Sequence, residues 1–240
     1  MPERRKWTYD ETIIAFNLYC KLPFGQLDQR NTEVKKLATL LERTPSSVSM
    51  KLCNFAALDP ALKERGIKGL TNISRLDKQV WDEFHADWTD LVDKSEEELV
   101  KIGFIEETER VTSTKVRIGQ AFFRRTVLAS YNYQCAVTGC PVPELLEASH
   151  ILPWSEYPKE RLNPSNGVCL VSHFHKAFDI ALVSFDENFQ LVLNEKINDY
   201  LPNPFIEKEF IARRGVKARL PERFQPAKGV FQSKEIRIGI

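Results

Sequence analysis

No stretch of this sequence approaches the ~20 consecutive apolar residues that a helix needs to cross a bilayer. The opening segment, MPERRKWTYDE, is charged and leads into no apolar core of the kind a secretory signal carries. The expectation is therefore a cytoplasmic protein with no membrane partner. Cysteines are few and odd in number: Cys20, Cys53, Cys135, Cys140 and Cys169, scattered through apolar segments. That usage suits a reducing compartment, where thiols act as small hydrophobes, so no disulfide is expected. Internal repeats and low-complexity tracts are lacking too, which sets repeat architectures aside. With 42% hydrophobic and 28% charged residues, disorder is not the default. A length of 240 residues accommodates one large domain or two small ones.

The formal net charge is only +1, but it conceals an asymmetry. Residues 1–70 balance to +4, residues 71–109 to −8 and residues 110–240 to +5. Two mildly basic blocks flank an acidic one. A polyanionic partner is compatible with this pattern, because binding follows local patches and not the total.

The first block reads as helical. Thr8 and Glu11 have the spacing of a capping box, ahead of Ile13, Ile14, Phe16, Leu18 and Tyr19; Pro23 and Gly25 end the segment. A second helix is expected from Thr32 to Glu42. The turn Arg43-Thr44-Pro45 follows, with Thr44 as cap and Pro45 at the first helical position of a third helix. Two helices joined by a tight turn, the second carrying Ser47, Lys51 and Asn54 on an expected exposed face, form the pattern of a helix-turn-helix reader of DNA, although plain helical bundles share it. The tryptophan-led first helix also loosely resembles Myb/SANT-type helical domains. Asp77–Asp93 is expected to form one further helix, in which His85 is given no role. The acidic residues of 94–114 read as a solvated linker. These readings divide the chain into a helical, DNA-binding domain over 1–93, an acidic linker over 94–114 and a second domain over 115–240.

Helical periodicity resumes from Lys115 to Tyr131, where Arg117, Gln120, Arg124 and Arg125 alternate with apolar positions. Guanidinium groups on such a helix suit phosphate oxygens, although an ordinary charged outer face has the same pattern. Next comes a short strand ending in His150, then a polar loop to Asn166-Gly167. A second strand over Val168–Val171 leads into a helix holding His173, His175 and Asp179. A hairpin is expected around Asp186-Glu187-Asn188, and a tail containing Arg213, Arg214, Lys217, Arg219 and Arg223 adds basic character.

The segments EASHILPW and NPSNGVCLVSHFHKAFD resemble the ββα-metal core of HNH endonucleases, in particular the subgroup of bacterial restriction-type enzymes. VRIGQAFFRRTVLASYNYQCAVTGC resembles that subgroup's lead-in helix and first turn. WTYDETIIAFNLYCKLPFG and RTPSSVSMKLCNFAALDPALKERGIKGL resemble a domain often joined to it. The resemblance implies an α+β protein: an N-terminal all-helical domain joined to a C-terminal ββα-metal nuclease domain. It implies hydrolysis of DNA phosphodiester bonds to 5′-phosphate and 3′-hydroxyl ends, in restriction or phage defence.

The resemblance makes His150, Asn166 and His175 the catalytic set. His150 is the general base, since imidazole exchanges protons near neutral pH. Asn166 braces the loop and holds the His150 ring. His175 and Asp179, four apart on one helix face, are the expected metal ligands, with His173 as substitute for His175. Ser149 stands where many members carry an acidic or histidine ligand, so either water or a residue such as Glu147 completes the coordination. An oxygen-rich site of that kind suits a divalent magnesium or manganese ion. A structural zinc on Cys135, Cys140, Cys169 and His173 is disfavoured, because the spacings are not those of zinc sites. DNA is the expected partner, with Arg117, Gln120, Arg124, Arg125, Ser47 and Lys51 as contacts; monomer and homodimer both stay open. Two alternatives stand beside this reading: a nuclease acting on RNA or modified DNA, and a non-catalytic DNA-binding regulator with a degenerate site.

Overall fold

The computed structural model describes residues 5–67, 73–105, 115–227 and 229–231. The chain divides into two compact units, Met1–Ser130 and Tyr131–Ile240.

The first unit is built around α1 (Tyr9–Lys21), which opens with the expected capping box: Thr8 Oγ1 accepts from Glu11 N–H, and the Glu11 carboxylate accepts from Thr8 N–H. Every residue from Glu11 to Lys21 is buried, so α1 is a central helix and not a one-sided one. The Phe16 ring packs against Tyr19, Phe55, Trp81, Phe84 and Trp88. Burying each such side chain is worth about 1.5–3 kcal/mol, which makes this cluster the main apolar contribution to the unit.

Helices α2 (Thr32–Leu40) and α3 (Pro45–Ala56) form the expected pair. Asn31 caps α2; Thr44 caps α3 with Pro45 in the first turn. The face of α3 differs from expectation. Lys51 is buried and ion-paired with Asp77, and Asn54 Nδ2 donates to the same carboxylate at 2.9 Å. Both polar side chains are used inside the bundle, because the buried Asp77 charge requires a partner. Ser47 stays half-buried near the surface and Met50 is exposed.

After α4 (Pro60–Glu64), the single helix expected over Asp77–Asp93 is two: α5 (Arg75–Ala86) and α6 (Trp88–Lys101). Asp87 causes the break. It adopts an extended conformation and its side chain accepts from Thr89 and Asp90 N–H, starting a new helix. The expected solvated linker is in its first part the end of α6. There Ser95 and Glu96 are buried, and Glu96 accepts from Asn17 Nδ2 at 2.9 Å and pairs with Lys21. The ammonium of Lys21, inside the central helix, needs that carboxylate. The second acidic run, Glu106-Glu107-Thr108-Glu109, lies outside the described residues.

Helix α7 (Lys115–Ser130) was expected to lead the C-terminal domain, but it belongs to the first unit and packs on α1 and α6. Phe122, Phe123, Val127 and Leu128 supply its buried side.

The second unit contains the ββα arrangement. Strands β1 (Leu146–His150) and β2 (Gly167–Val171) pair antiparallel, with Leu146 opposite Val171 and His150 opposite Gly167. Helix α8 (Ser172–Asp179) packs on both through Phe174, Ala177 and Phe178. The expected hairpin follows as β3 (Val183–Phe185) and β4 (Leu191–Leu193), closed by Asp186 accepting from Asn188 and Gln190 N–H. Residues 216–218 run along this hairpin: Leu191 N–H donates to Val216 and Ala218 N–H to Phe189. A short helix, α9 (Pro204–Glu209), precedes them. All five cysteines are free thiols.

Candidate active site

Alternation along β1 fixes the first feature of the site. Neighbouring side chains on a strand face opposite ways, so Ser149 and His150 serve different sides of the hairpin. Ser149 is fully buried beneath α8, its Oγ 2.7 Å from Nδ1 of His175. On the same ring, Nε2 lies 3.4 Å from Oδ2 of Asp179, one helical turn on. The structure thus brings Ser149, His175 and Asp179 into one chain of contacts along α8. Ser149, which stands where many members carry a ligand, bonds to the helix histidine with its hydroxyl.

His150 has other neighbours. Its Nε2 lies 2.9 Å from the Arg161 carbonyl oxygen, and its ring meets the Trp154 indole edge-on at 5.4 Å between centroids. A carbonyl only accepts, so Nε2 carries a proton in this contact, and in the neutral ring the lone pair sits on Nδ1. Arg161 turns back on the same tryptophan: its Nε donates to the Trp154 carbonyl at 2.8 Å, and its guanidinium carbon lies 5.2 Å from the indole centroid.

Asn166 is buried at the end of the loop. Its Oδ1 accepts from Leu152 N–H at 2.7 Å; its Nδ2 donates to the carbonyls of Leu152 and Glu160, each at 3.1 Å. One amide therefore ties both limbs of the 152–161 loop to the start of β2. The expected direct hold on the His150 ring is made by the Arg161 carbonyl, and the described contacts of Asn166 go to the loop backbone beside it.

His173 points elsewhere, into a ring cluster with Phe174, Phe205 and Phe210 and 3.8 Å from Glu209. Burial pushes its imidazole below the ordinary value; Glu209 opposes this and Arg213 adds to it. Among the described residues no group of three or more His, Cys, Asp or Glu is arranged to hold a metal, so the four weighed zinc ligands are not assembled. Cys135 Sγ instead accepts from Thr138 and Val171 N–H, each at 3.4 Å.

The expected nucleic-acid contacts are distributed unevenly. On α7, Arg117 and Gln120 are exposed, Arg124 is half-buried and Arg125 is ion-paired with Glu33. Lys51 is withdrawn into the bundle and Ser47 lies near the surface. In the tail, Arg214, Lys217 and Arg219 are exposed, whereas Arg223 is completely buried and cannot extend a basic surface.

His175 Nε2 and Asp179 Oδ2, one imidazole nitrogen and one carboxylate oxygen on α8, are the donor pair that could hold a divalent cation. Sequence reasoning missed the parts played by Trp154 and Arg161. Both stand in the quoted stretch, but a bond from a ring to a backbone carbonyl has no signature in residue type. The Ser149 contact had one: strand alternation alone places it opposite His150.

Residues 135–186 match the family model described as HNH endonuclease, which spans the first turn, the ββα arrangement and the strand after it. No curated protein matches the chain. None of the helices among the described residues is long and apolar enough to cross a membrane. The strand–loop–strand–helix order, with His150, Asn166 and His175 at its three stations, accords with that match, and residues 135–186 of the chain are similar to an HNH endonuclease domain.

Proposed function

We propose that this protein is a metal-dependent endonuclease that hydrolyses DNA phosphodiester bonds, with His150 as general base. The observation that carries this reading is the His150–Arg161 contact. With its proton fixed on Nε2, His150 presents Nδ1 as the basic atom, able to take a proton from the attacking water. Asn166 keeps that geometry by tying down the loop that carries the carbonyl.

His175 and Asp179 would hold the divalent ion, magnesium or manganese, with Ser149 fixing the His175 ring from behind. When bound, such an ion supplies Lewis-acid stabilisation of charge on the phosphate and leaving oxygen. Hydrolysis in this manner gives 5′-phosphate and 3′-hydroxyl ends. Arg117, Gln120, Arg124 and Ser47 are the proposed contacts to the nucleic-acid backbone; Arg125 joins them if it exchanges Glu33 for phosphate. A role in restriction or phage defence in the cytoplasm fits this chemistry.

The test is direct. Purified protein is incubated with unmodified DNA, modified DNA and RNA in magnesium or manganese, with and without chelator, alongside His150→Ala. Metal-dependent cutting of DNA that falls by about 10²–10⁴-fold in the variant is expected. Equal cutting by His150→Ala overturns the mechanism. Cutting of RNA or modified DNA alone moves the substrate. Salt-sensitive DNA binding without cleavage identifies a regulator instead.

A further inference from the structure

Resting on the nuclease reading, we infer that Arg161 is a phosphate-binding residue of the active site, and that Trp154 is the shelf that holds its guanidinium ready. Arg161 occupies an unusual position. Its main-chain carbonyl accepts from His150 Nε2 at 2.9 Å, so the residue is attached to the general base by its own backbone. The side chain then folds back, with Nε donating to the Trp154 carbonyl at 2.8 Å and the guanidinium carbon 5.2 Å from the indole centroid. Trp154 in turn meets His150 edge-on. One tryptophan contacts both base and arginine.

Only Nε is engaged in this arrangement. Among the described residues no acidic side chain pairs with Arg161, and no partner is present for its two Nη groups. Contrast three other arginines that pack on an aromatic ring or a carboxylate. Arg43 lies over Trp7 but is neutralised by Glu11, Arg125 is paired with Glu33, and Arg213 with Glu209. A half-buried guanidinium without a counter-charge is costly unless something anionic comes to it. The two remaining Nη groups form the fork that suits two phosphate oxygens. Stacking on Trp154 and the Nε bond remove most of the rotamer freedom that an arginine normally loses on binding.

The connection through the backbone gives the contact a consequence. A phosphate drawn to the Arg161 side chain tightens the segment whose carbonyl sets the His150 ring. Substrate binding and orientation of the base are then two ends of one residue.

The experiment uses the full chain in the inactive His150→Ala background, in chelator, with a short DNA duplex whose binding is followed across a salt series. Arg161→Gln should bind about tenfold more weakly. Its slope of log affinity against log salt should be shallower by about 1, the signature of one lost phosphate contact. Arg161→Lys should restore the slope. An unchanged slope in a folded Arg161→Gln, or equal slopes in the glutamine and lysine variants, overturns the proposal. Phenylglyoxal labelling of the unsubstituted protein, read by mass spectrometry, gives the answer should Arg161→Gln not fold. DNA should protect Arg161, and equal labelling with and without DNA overturns the proposal. Absence of DNA binding by the parent protein overturns it as well. If the wild type cuts no nucleic acid, the nuclease reading fails by itself, while slope and labelling still decide Arg161.

Discussion

The hydroxyl of Ser149 and Nδ1 of His175 lie 2.7 Å apart, joining the first strand of the ββα unit to its helix. The bond leaves Nε2 of His175 directed to Asp179. Ser149→Ala should therefore weaken binding of manganese ion by about 10-fold or more, the usual effect of losing the group that orients a ligand histidine. Isothermal titration calorimetry measures it without reference to activity. Unaltered metal affinity would remove Ser149 from the site.

Asn166 makes three side-chain bonds from a buried position. Asn166→Ala strands Leu152 N–H and two carbonyls, at about 1–3 kcal/mol for each group left unsatisfied. The loop should open locally: amide exchange at Leu152 should accelerate and nuclease activity should fall, while α1–α7 keep their protection. Unchanged exchange at Leu152 would contradict the bracing role.

Lys51 is buried against Asp77, which removes it from any DNA-facing surface in this fold. Lys51→Met leaves an uncompensated buried carboxylate and should cost about 3–5 kcal/mol of stability. In a denaturant titration the first unit should unfold early. The salt dependence of DNA binding, measured where the variant is folded, should match the parent. Normal stability with weakened DNA binding would reverse the assignment.

Glu11 supplies a pH dependence. Burial alone would raise its carboxyl, but hydrogen bonds from Arg43 and Thr8 N–H, with the charges of Arg43 and Arg5, hold it below the ordinary value. A depressed folded-state value contributes stability that is present above the unfolded pKa and lost as pH falls through the folded one. Glu11→Gln should thus cost about 2 kcal/mol at pH 7, and the gap to wild type should close as pH drops below about 4. Thermal unfolding followed by tryptophan fluorescence checks this, since Trp7, Trp81 and Trp88 lie in this unit. A gap independent of pH would mean the carboxylate charge is not what matters.

How far the residues alone predicted these features depended on distance along the chain. Helix starts at Thr8 and Thr44 were legible because a cap and the N–H group that donates to it lie within three residues. The break at Asp87 was not, because Val80, Trp81, Phe84 and Trp88 continue an apolar periodicity straight through it. Buried charges were least legible. Lys51 finds Asp77 across 26 positions and Lys21 finds Glu96 across 75, and charge content on its own reads as surface. At the site, His150, Asn166 and His175 were visible as an ordered set. The Arg161 carbonyl, which holds the His150 ring, was invisible because every residue has one.

The 216–219 segment bears on how finely this protein can be dissected. Arg219 N–H donates to Ala136 at 2.9 Å, and the Arg219 guanidinium rests on Gly139, where an added Cβ would come within 2.7 Å of it. Phe231 packs on Phe178, Phe185 and Phe189. The match to the family ends at residue 186, inside the hairpin and well before Arg219 and Phe231. The motif is thus shorter than the object that folds. A fragment cut to 135–186 would carry every residue of the His-Asn-His set yet leave the hairpin without β4, the 216–218 segment bonded along it and its aromatic cover. In this chain the smallest portable form of the second unit runs to about Phe231.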